Sequence, residues 1–246
     1  MDKPRIIVSV NNLKKNFPPA IEAVKSISFK VYQNEIFGLL GSNGSGKSTT
    51  LRMIATVLAP TSGKIEIARA DSDHRKIRNI IGYIPQQDLL YDDLSVYDNI
   101  KLFSFSYDFS DKERKYAIDS TLERLELLDY KKRSVGNLSG GYKKRLSIAI
   151  ALMHRPKIII ADEITIGLDP DLRKKIWDLL TELKKESSII FTTHYLEEAQ
   201  KLCDRIALMN LGEIVAYGSP EKIMNDTQSH DLDEVFYKLV TMRKPK

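Results

Sequence analysis

Several residue types are scarce in this sequence, and each shortage removes a class of protein. Cys203 is the single cysteine in 246 residues. An internal disulfide and a cysteine-based metal cluster are therefore excluded, which fits a reducing compartment. No stretch approaches the ~20 consecutive apolar residues that cross a bilayer, so work at a membrane would need its span from another chain. The start, Met1-Asp2-Lys3-Pro4-Arg5, leads into a short apolar strand and not into the apolar core of a signal peptide. Excess charge is small: 38 basic against 33 acidic residues leave +5. That suits phosphate-bearing ligands or an anionic membrane surface and is too little to argue for nucleic acid. The short basic runs Lys14-Lys15, Lys131-Lys132-Arg133 and Lys143-Lys144-Arg145 read as solvated faces. Low-complexity linkers and internal repeats are absent from the sequence. What remains, 42% hydrophobic and 29% charged, is an ordinary globular composition, long enough for one large core with a subdomain.

The richest stretch is residues 36–50. Apolar Ile36-Phe37-Gly38-Leu39-Leu40 predicts a buried strand, and Leu51-Arg52-Met53-Ile54-Ala55 continues as a helix. Between them, Gly41-Ser42-Asn43-Gly44-Ser45-Gly46-Lys47-Ser48 fits the phosphate-loop pattern of glycine, four residues, then Gly-Lys-Ser/Thr. Gly41, Gly44 and Gly46 let the backbone bend tightly and turn several N–H groups on one anion. The helix that follows points its positive end at the same place. Lys47 adds a full charge, and the Ser48 hydroxyl is a hard oxygen ligand for Mg²⁺.

Along the chain, the pattern predicts strands at residues 5–10 and 24–31, with Phe17-Pro18-Pro19 as a turn between them. Short strands are expected at 65–67 and 80–84. From Asp88 to about Gly136 the texture is helical, with a capping box at Ser110 and Glu113 and Ala117, Leu122, Leu125 and Leu128 near helical spacing. Residues 138–152 read as a glycine turn and a basic amphipathic helix that carries Leu146, Ala149, Ile150 and Met153 on one side. Apolar 158–161 and 189–193 suit parallel strands covered on both faces. Asp169-Pro170 starts a helix. Residues 205–209 and 213–217 resemble a hairpin around Asn210-Leu211-Gly212, and a second capping box, Asp231 with Glu234, opens a last helix.

Residues 158–161 deliver Asp162 and Glu163 to a strand end, where ligands of open α/β sheets bind. Asp162 can serve a Mg²⁺ shell and Glu163 can polarise a water aimed at a γ-phosphate. Gln86 and His194 also follow apolar strands and suit the same site. Leu138-Ser139-Gly140-Gly141 is a second glycine turn at a helix start. One nucleotide hardly needs two such cradles from one chain. Either the turn serves the nucleotide of a second, head-to-tail copy, or it is structural.

Together these residues resemble the nucleotide-binding subunit of an ATP-binding-cassette (ABC) transporter over nearly the whole chain. The resemblance implies an α/β phosphate-loop NTPase fold, with a parallel-sheet core, an antiparallel β subdomain and an inserted helical subdomain. It divides the chain into a core at 1–87 and 155–246 and a helical subdomain at 88–154. ATP and Mg²⁺ are the implied cofactors. Nucleotide contacts would come from Phe17, stacked on adenine, from Gly41, Ser42, Asn43, Gly44, Ser45, Gly46, Lys47, Ser48 and Thr49 (the Walker A loop), and from Gln86 of the Q-loop. Ser139, Gly140 and Gly141 of the signature motif would add theirs across a dimer. Ser48, Gln86 and Asp162 would surround the metal, and Glu163, His194 and Lys47 would be catalytic. Asp169 corresponds to the D-loop aspartate.

Phe37–Gly41, His194–Ala199 and Asp233–Phe236 are similar to the branch that exports drugs, lipids, polysaccharides or ions. The implied partners are integral-membrane permease subunits and a second ABC ATPase subunit, with no nucleic acid. The implied location is cytoplasmic, on the inner face of the membrane. The permease contact is expected after Gln86, near Tyr91 and Leu94.

Three positions depart from the family's pattern. Tyr142 replaces the signature glutamine, Ile164 the proline after Glu163, and Ile166 a small or polar residue. Tyr142 should perturb nucleotide binding without abolishing it, and Ile164 frees a backbone N–H and a dihedral beside Glu163. A soluble cassette ATPase of translation or DNA repair, and a phosphate-loop kinase, are the competing readings. The transported substrate is not written in this chain.

Overall fold

The computed structural model describes residues 4–68 and 74–242. The chain runs β1 (Ile6–Phe17), β2 (Ile21–Tyr32), β3 (Ile36–Leu40), α1 (Lys47–Ile54), β4 (Ser62–Ile67), α2 (His74–Ile80) and β5 (Ile81–Ile84). Three longer helices follow: α3 (Val96–Ser104), α4 (Asp111–Arg124) and α5 (Gly140–Leu152). Then come β6 (Ile158–Asp162), α6 (Pro170–Leu183), β7 (Ser188–Thr193), α7 (Leu196–Leu202), β8 (Arg205–Asn210) and β9 (Glu213–Gly218). Two short helices, α8 (Pro220–Asp226) and α9 (Leu232–Phe236), lead to the end.

The six-stranded sheet has the order β5-β6-β7-β3-β8-β9; only β9 is antiparallel to its neighbour. Strands β3, β6 and β7 are buried along their whole length. Their period-two alternation sorts the side chains into two cores. Ile36, Leu40, Ile159, Ala161, Ile189 and Phe191 join the core that the larger helices cover. Phe37, Leu39, Ile158, Ile160 and Ile190 face the other way, onto α1 and the antiparallel sheet β2-β1-β4. Phe29 of β2 stacks on Phe37 of β3 with centroids 5.2 Å apart, fastening one sheet to the other.

The strands of the small sheet are longer than their sequence pattern suggested. Phe17 closes β1, and only residues 18–20 form the turn. Register shifts along β1 explain this, because each one breaks the alternation on which the shorter spans rested. Ile80 ends α2 and does not start β5. Helix α2 went unpredicted because seven residues with apolar Ile77 and Ile80 hold too few turns to reveal a period. Helix α4 stops at Arg124, after which Glu126 turns left-handed at φ 55°, so Leu128 falls off the helical face and is exposed.

Helix α5 is not amphipathic. Ile148, Ala151 and Leu152 are buried as well as Leu146 and Ala149, because the helix lies between β5 and the pair α3 and α4. Lys144 is buried too, so the basic run 143–145 is not simply a solvated face. The capping box at Ser110 has both arms. The one at Asp231 is displaced: Asp231 accepts the Glu234 N–H, but Glu234 accepts from the N–H of His230. The hairpin turns through Leu211 and Gly212, both at positive φ, as two-residue β-turns require.

His154, just past α5, joins three parts of this fold. Its Nε2 donates to the carbonyl of Ile81 at 3.0 Å, its ring stacks on Tyr107 at 4.1 Å, and its Nδ1 is buried without a partner. Burial pulls its pKa down to about 4, from 6.5 in an open chain. Between these values the unfolded chain takes up a proton that the folded chain refuses, so stability falls as pH drops from about 6.5 to about 4. The loss from this one group should be about 3 kcal/mol. Urea denaturation across that range should show a flatter profile for His154→Gln than for the parent.

Candidate active site

The loop after β3 needs glycine at two places for lack of room. Gly41 (φ 149°) would put a Cβ 2.3 Å from the carbonyl oxygen of Met209, and Gly46 (φ 102°) one 2.4 Å from that of Ala23. The Ser45 N–H donates to Ser42, and the Gly212 N–H to the Ser45 carbonyl, so the β8–β9 hairpin braces the loop. Helix α1 opens at Lys47 with no side-chain cap, which leaves its first N–H groups for an anion. The Lys47 side chain folds over the loop, Nζ donating to the carbonyls of Gly41 (2.8 Å) and Ser42 (3.1 Å). Burial pulls its pKa below the usual lysine value, while Glu163 and Asp162 oppose that shift.

Strand β6 ends on Asp162, which is fully buried. Its Oδ1 accepts from Ser48 Oγ at 2.8 Å and from Thr192 Oγ1 at 2.7 Å, while Oδ2 is buried with no partner. Thr192 is the register partner of Asp162 on β7, and its hydroxyl also accepts the N–H of Glu163 at 2.9 Å. Glu163 is buried and left-handed at φ 48°. That backbone conformation costs about 1–3 kcal/mol, and the Thr192 bond holds it. Glu163 Oε2 accepts from Gln86 Nε2 at 2.9 Å, and Oε1 lies 3.6 Å from His194 Nδ1. Ile164 is buried in the helix-covered core, so the residue that stands where proline was expected is anchored by its side chain.

Lys47, Ser48, Gln86, Glu163 and His194 share one cavity of about 700 Å³, and Asp162 joins it through its bond to Ser48. Asn43, Gly44, Gly46, Lys47, Ser48 and Thr49 line one wall, and Gln86, Glu163, Ile166 and His194 another. Phe17 closes one end, half exposed, with Lys15 Nζ 5.1 Å from its ring centre. The ends of β3, β5, β6 and β7 therefore converge, as the strand-end rule for open sheets requires.

Ser139 and Gly141 line a different cavity, of about 360 Å³, together with Tyr142, Asp169 and Leu172. The Ser139 side chain makes no capping bond, and a Cβ on Gly141 would sit 2.6 Å from Leu172. Tyr142 also packs on Tyr130, with the hydroxyls 2.7 Å apart and the rings 4.2 Å apart.

The donors fit a hard divalent cation. Asp162 Oδ2 is a buried carboxylate oxygen in need of a partner, and Ser48 Oγ shares the neighbouring oxygen. Among the described residues no cluster of three His, Cys, Asp or Glu could hold a metal unaided. An ion here would complete its shell with water and phosphate oxygens, which is the habit of Mg²⁺.

A family model described as ABC transporter matches residues 24–166. The chain belongs to the ABC transporter family. Its place there is that of the ATP-hydrolysing subunit. It is 36% identical to the Nod factor export ATP-binding protein I of Rhizobium sp. (strain N33), over 98% of this chain and 81% of that protein. It is also 36% identical to the linearmycin resistance ATP-binding protein LnrL of Bacillus subtilis (strain 168), over 87% of this chain and 69% of that protein. Among solved structures it is similar to the ATP-binding subunit of an ABC transporter, with a TM-score of 0.84, 27% identity and coverage of 95% and 99% of the two chains. It is similar as well to a dimeric ATP-binding cassette in a post-hydrolysis state bound to ADP and Pi, with a TM-score of 0.77, 29% identity and coverage of 87% and 98%.

Within this ABC subunit, sequence reasoning missed Thr192, because a threonine at the end of a β-strand is an ordinary strand residue. Thr192→Val keeps the shape but deletes the hydroxyl, stranding the Glu163 N–H and taking a donor from Asp162. The expected stability loss is about 1–3 kcal/mol in urea denaturation. ATP turnover should fall by roughly tenfold or more, as for other residues that orient a ligand shell.

Proposed function

We propose that this subunit is the motor of an exporter: two copies, or this chain and a sister cassette, close head to tail on ATP and drive separate permease subunits in the membrane. The observation that carries the reading is Glu163, a buried carboxylate between Gln86 and His194 in one cavity with Lys47. Such a carboxylate can accept a proton from a water aimed at the terminal phosphate. His194 stands where an imidazole N–H can stabilise phosphate charge, and Lys47 carries the charge already nearest the loop. Phe17 offers a ring face for the adenine. Ser48 and Asp162, with Gln86 from the opposite wall, would hold Mg²⁺, which when bound supplies Lewis-acid stabilisation of phosphate charge.

The two separate cavities support head-to-tail pairing. Ser139 and the Gly140 and Gly141 backbone lie outside the cavity of Lys47 and Glu163, so a partner's copy is the economical source of that second cradle. In this reading residues 88–154 form a helical subdomain set into a core of 1–87 and 155–246. None of the described helices is long and apolar enough to cross a membrane; in this reading permease subunits supply the span, and this subunit lies against their cytoplasmic end. The docking segment follows Gln86: Tyr91 and Leu89 are exposed there, Leu94 is half-buried, and Leu89, Leu90 and Phe103 line an apolar cavity of about 450 Å³. The outward direction rests on the relatives named for Nod factor export and linearmycin resistance.

Glu163→Gln should keep ATP binding while losing about 10²-fold or more of turnover, the scale of a general base. It should also accumulate as an ATP-bound dimer in sedimentation, and Ser139→Arg should prevent that dimer. Hydrolysis by Glu163→Gln at the parent rate would sink the role given to this carboxylate.

A further inference from the structure

Among the described residues two lysines are buried, Lys47 and Lys144. Lys47 belongs to the phosphate loop. Lys144 has no part in the chemistry described so far, yet burying an ammonium is costly unless it is paired. Its Nζ donates to Asp88 Oδ1 at 2.8 Å and faces the backbone carbonyl oxygen of Gln86 at 3.4 Å. One residue earlier, Lys143 Nζ donates to Asp92 Oδ1 at 2.8 Å. The start of α5, which Ser139 immediately precedes, therefore grips both ends of residues 86–92.

Residues 85–91 belong to no helix or strand, so no regular ladder sets where Gln86 points. The amide of Gln86 nevertheless donates to Glu163 Oε2 at 2.9 Å. A continuous chain of bonds thus runs from the helix that carries Ser139, through Lys144 and the Gln86 main chain, to one oxygen of Glu163. An ammonium suits the task because its three donors serve a carboxylate and a carbonyl together.

We propose that Lys144 is a positioning residue for hydrolysis. Through Asp88 and the Gln86 carbonyl it sets the Gln86 amide on Glu163, and it ties that setting to the place of the Ser139 turn. The proposal rests on the reading of Glu163 as the group that polarises water, and goes beyond it by giving Glu163 a controller on α5. One contact then serves two ends: a partner's nucleotide pulling on Ser139, or a permease pressing on residues 88–92, displaces the same lysine.

The test is steady-state ATP hydrolysis by the full chain, with Lys144→Met, Gln86→Ala and the double variant. Lys144→Met should lower kcat about fivefold or more and leave KM for ATP within about twofold, the scale of coupling through a packed network. In the Gln86→Ala background the same substitution should cost nothing further, because its route to Glu163 is already cut. Asp88→Asn repeats the test from the half-buried partner if Lys144→Met does not fold, with the same loss and the same silence beside Gln86→Ala. Losses that multiply in the double variant, an unchanged kcat, or a raised KM at constant kcat would each overturn the positioning role while the motor reading stands. A parent chain that does not hydrolyse ATP would overturn both.

Discussion

Asp162 is buried at the end of a strand with one oxygen shared by two hydroxyls, and that contact sets the spacing of the whole site. Ser48 lies 114 residues away in sequence and Thr192 lies 30 away. Their bonds pin the start of α1, the end of β6 and the end of β7 to one carboxylate. Burying an ionised carboxylate is tolerable only when hydrogen bonds replace its water. Here they do so for one oxygen and not the other. The unmatched Oδ2 makes the site demand a cation or a water, and it does so next to the lysine and the loop that demand an anion. Complementary demands side by side are what a metal–phosphate ligand satisfies.

The sheet supplies this contact almost without freedom. Asp162 and Thr192 are register partners, so slipping β7 by one residue would turn the hydroxyl to the other face. Register in turn is held by Ile158 to Ala161 and Ile189 to Phe191, whose alternate side chains fill two different cores. Apolar packing on both faces of the sheet thereby decides the position of two oxygens. Thr192 extends the effect to Glu163, whose left-handed backbone turns its carboxylate toward Gln86 and His194.

Much of this was legible in the sequence, and what was hidden shares a cause. The phosphate loop announces itself because glycine, lysine and a hydroxyl at fixed spacing have few other uses, and the strand ends at Asp162 and His194 because continuous apolar runs are short and bounded. Thr192 was hidden because its role comes from its partner across the sheet, not from its neighbours in the chain. Helix α5 was read as amphipathic because its lysines and arginine looked solvated. The structure wraps that helix instead, and Lys144 becomes an internal ion pair. Helix α2 and the full lengths of β1 and β2 were hidden by shortness and by bulges, which erase period before they erase structure. Contacts between distant segments are where a single sequence falls silent.

The burial of α5 changes how motion in this subunit can be carried. An amphipathic helix on the surface could tilt with its own face and leave the sheet alone. This one is tied to β5 and its extension at both ends, through His154 on the Ile81 carbonyl and through Lys144 on Gln86 and Asp88. Between those ties a Cβ on Gly82 would sit 2.3 Å from the Ala151 carbonyl oxygen, so helix and strand touch backbone to backbone. A body held that closely moves as a unit or not at all, since packed interiors switch between arrangements and do not stretch. Displacing Ser139 would therefore shift the strand end that carries Gln86, so that in the proposed motor the cradle offered to a partner's nucleotide is mechanically part of the subunit's own catalytic wall.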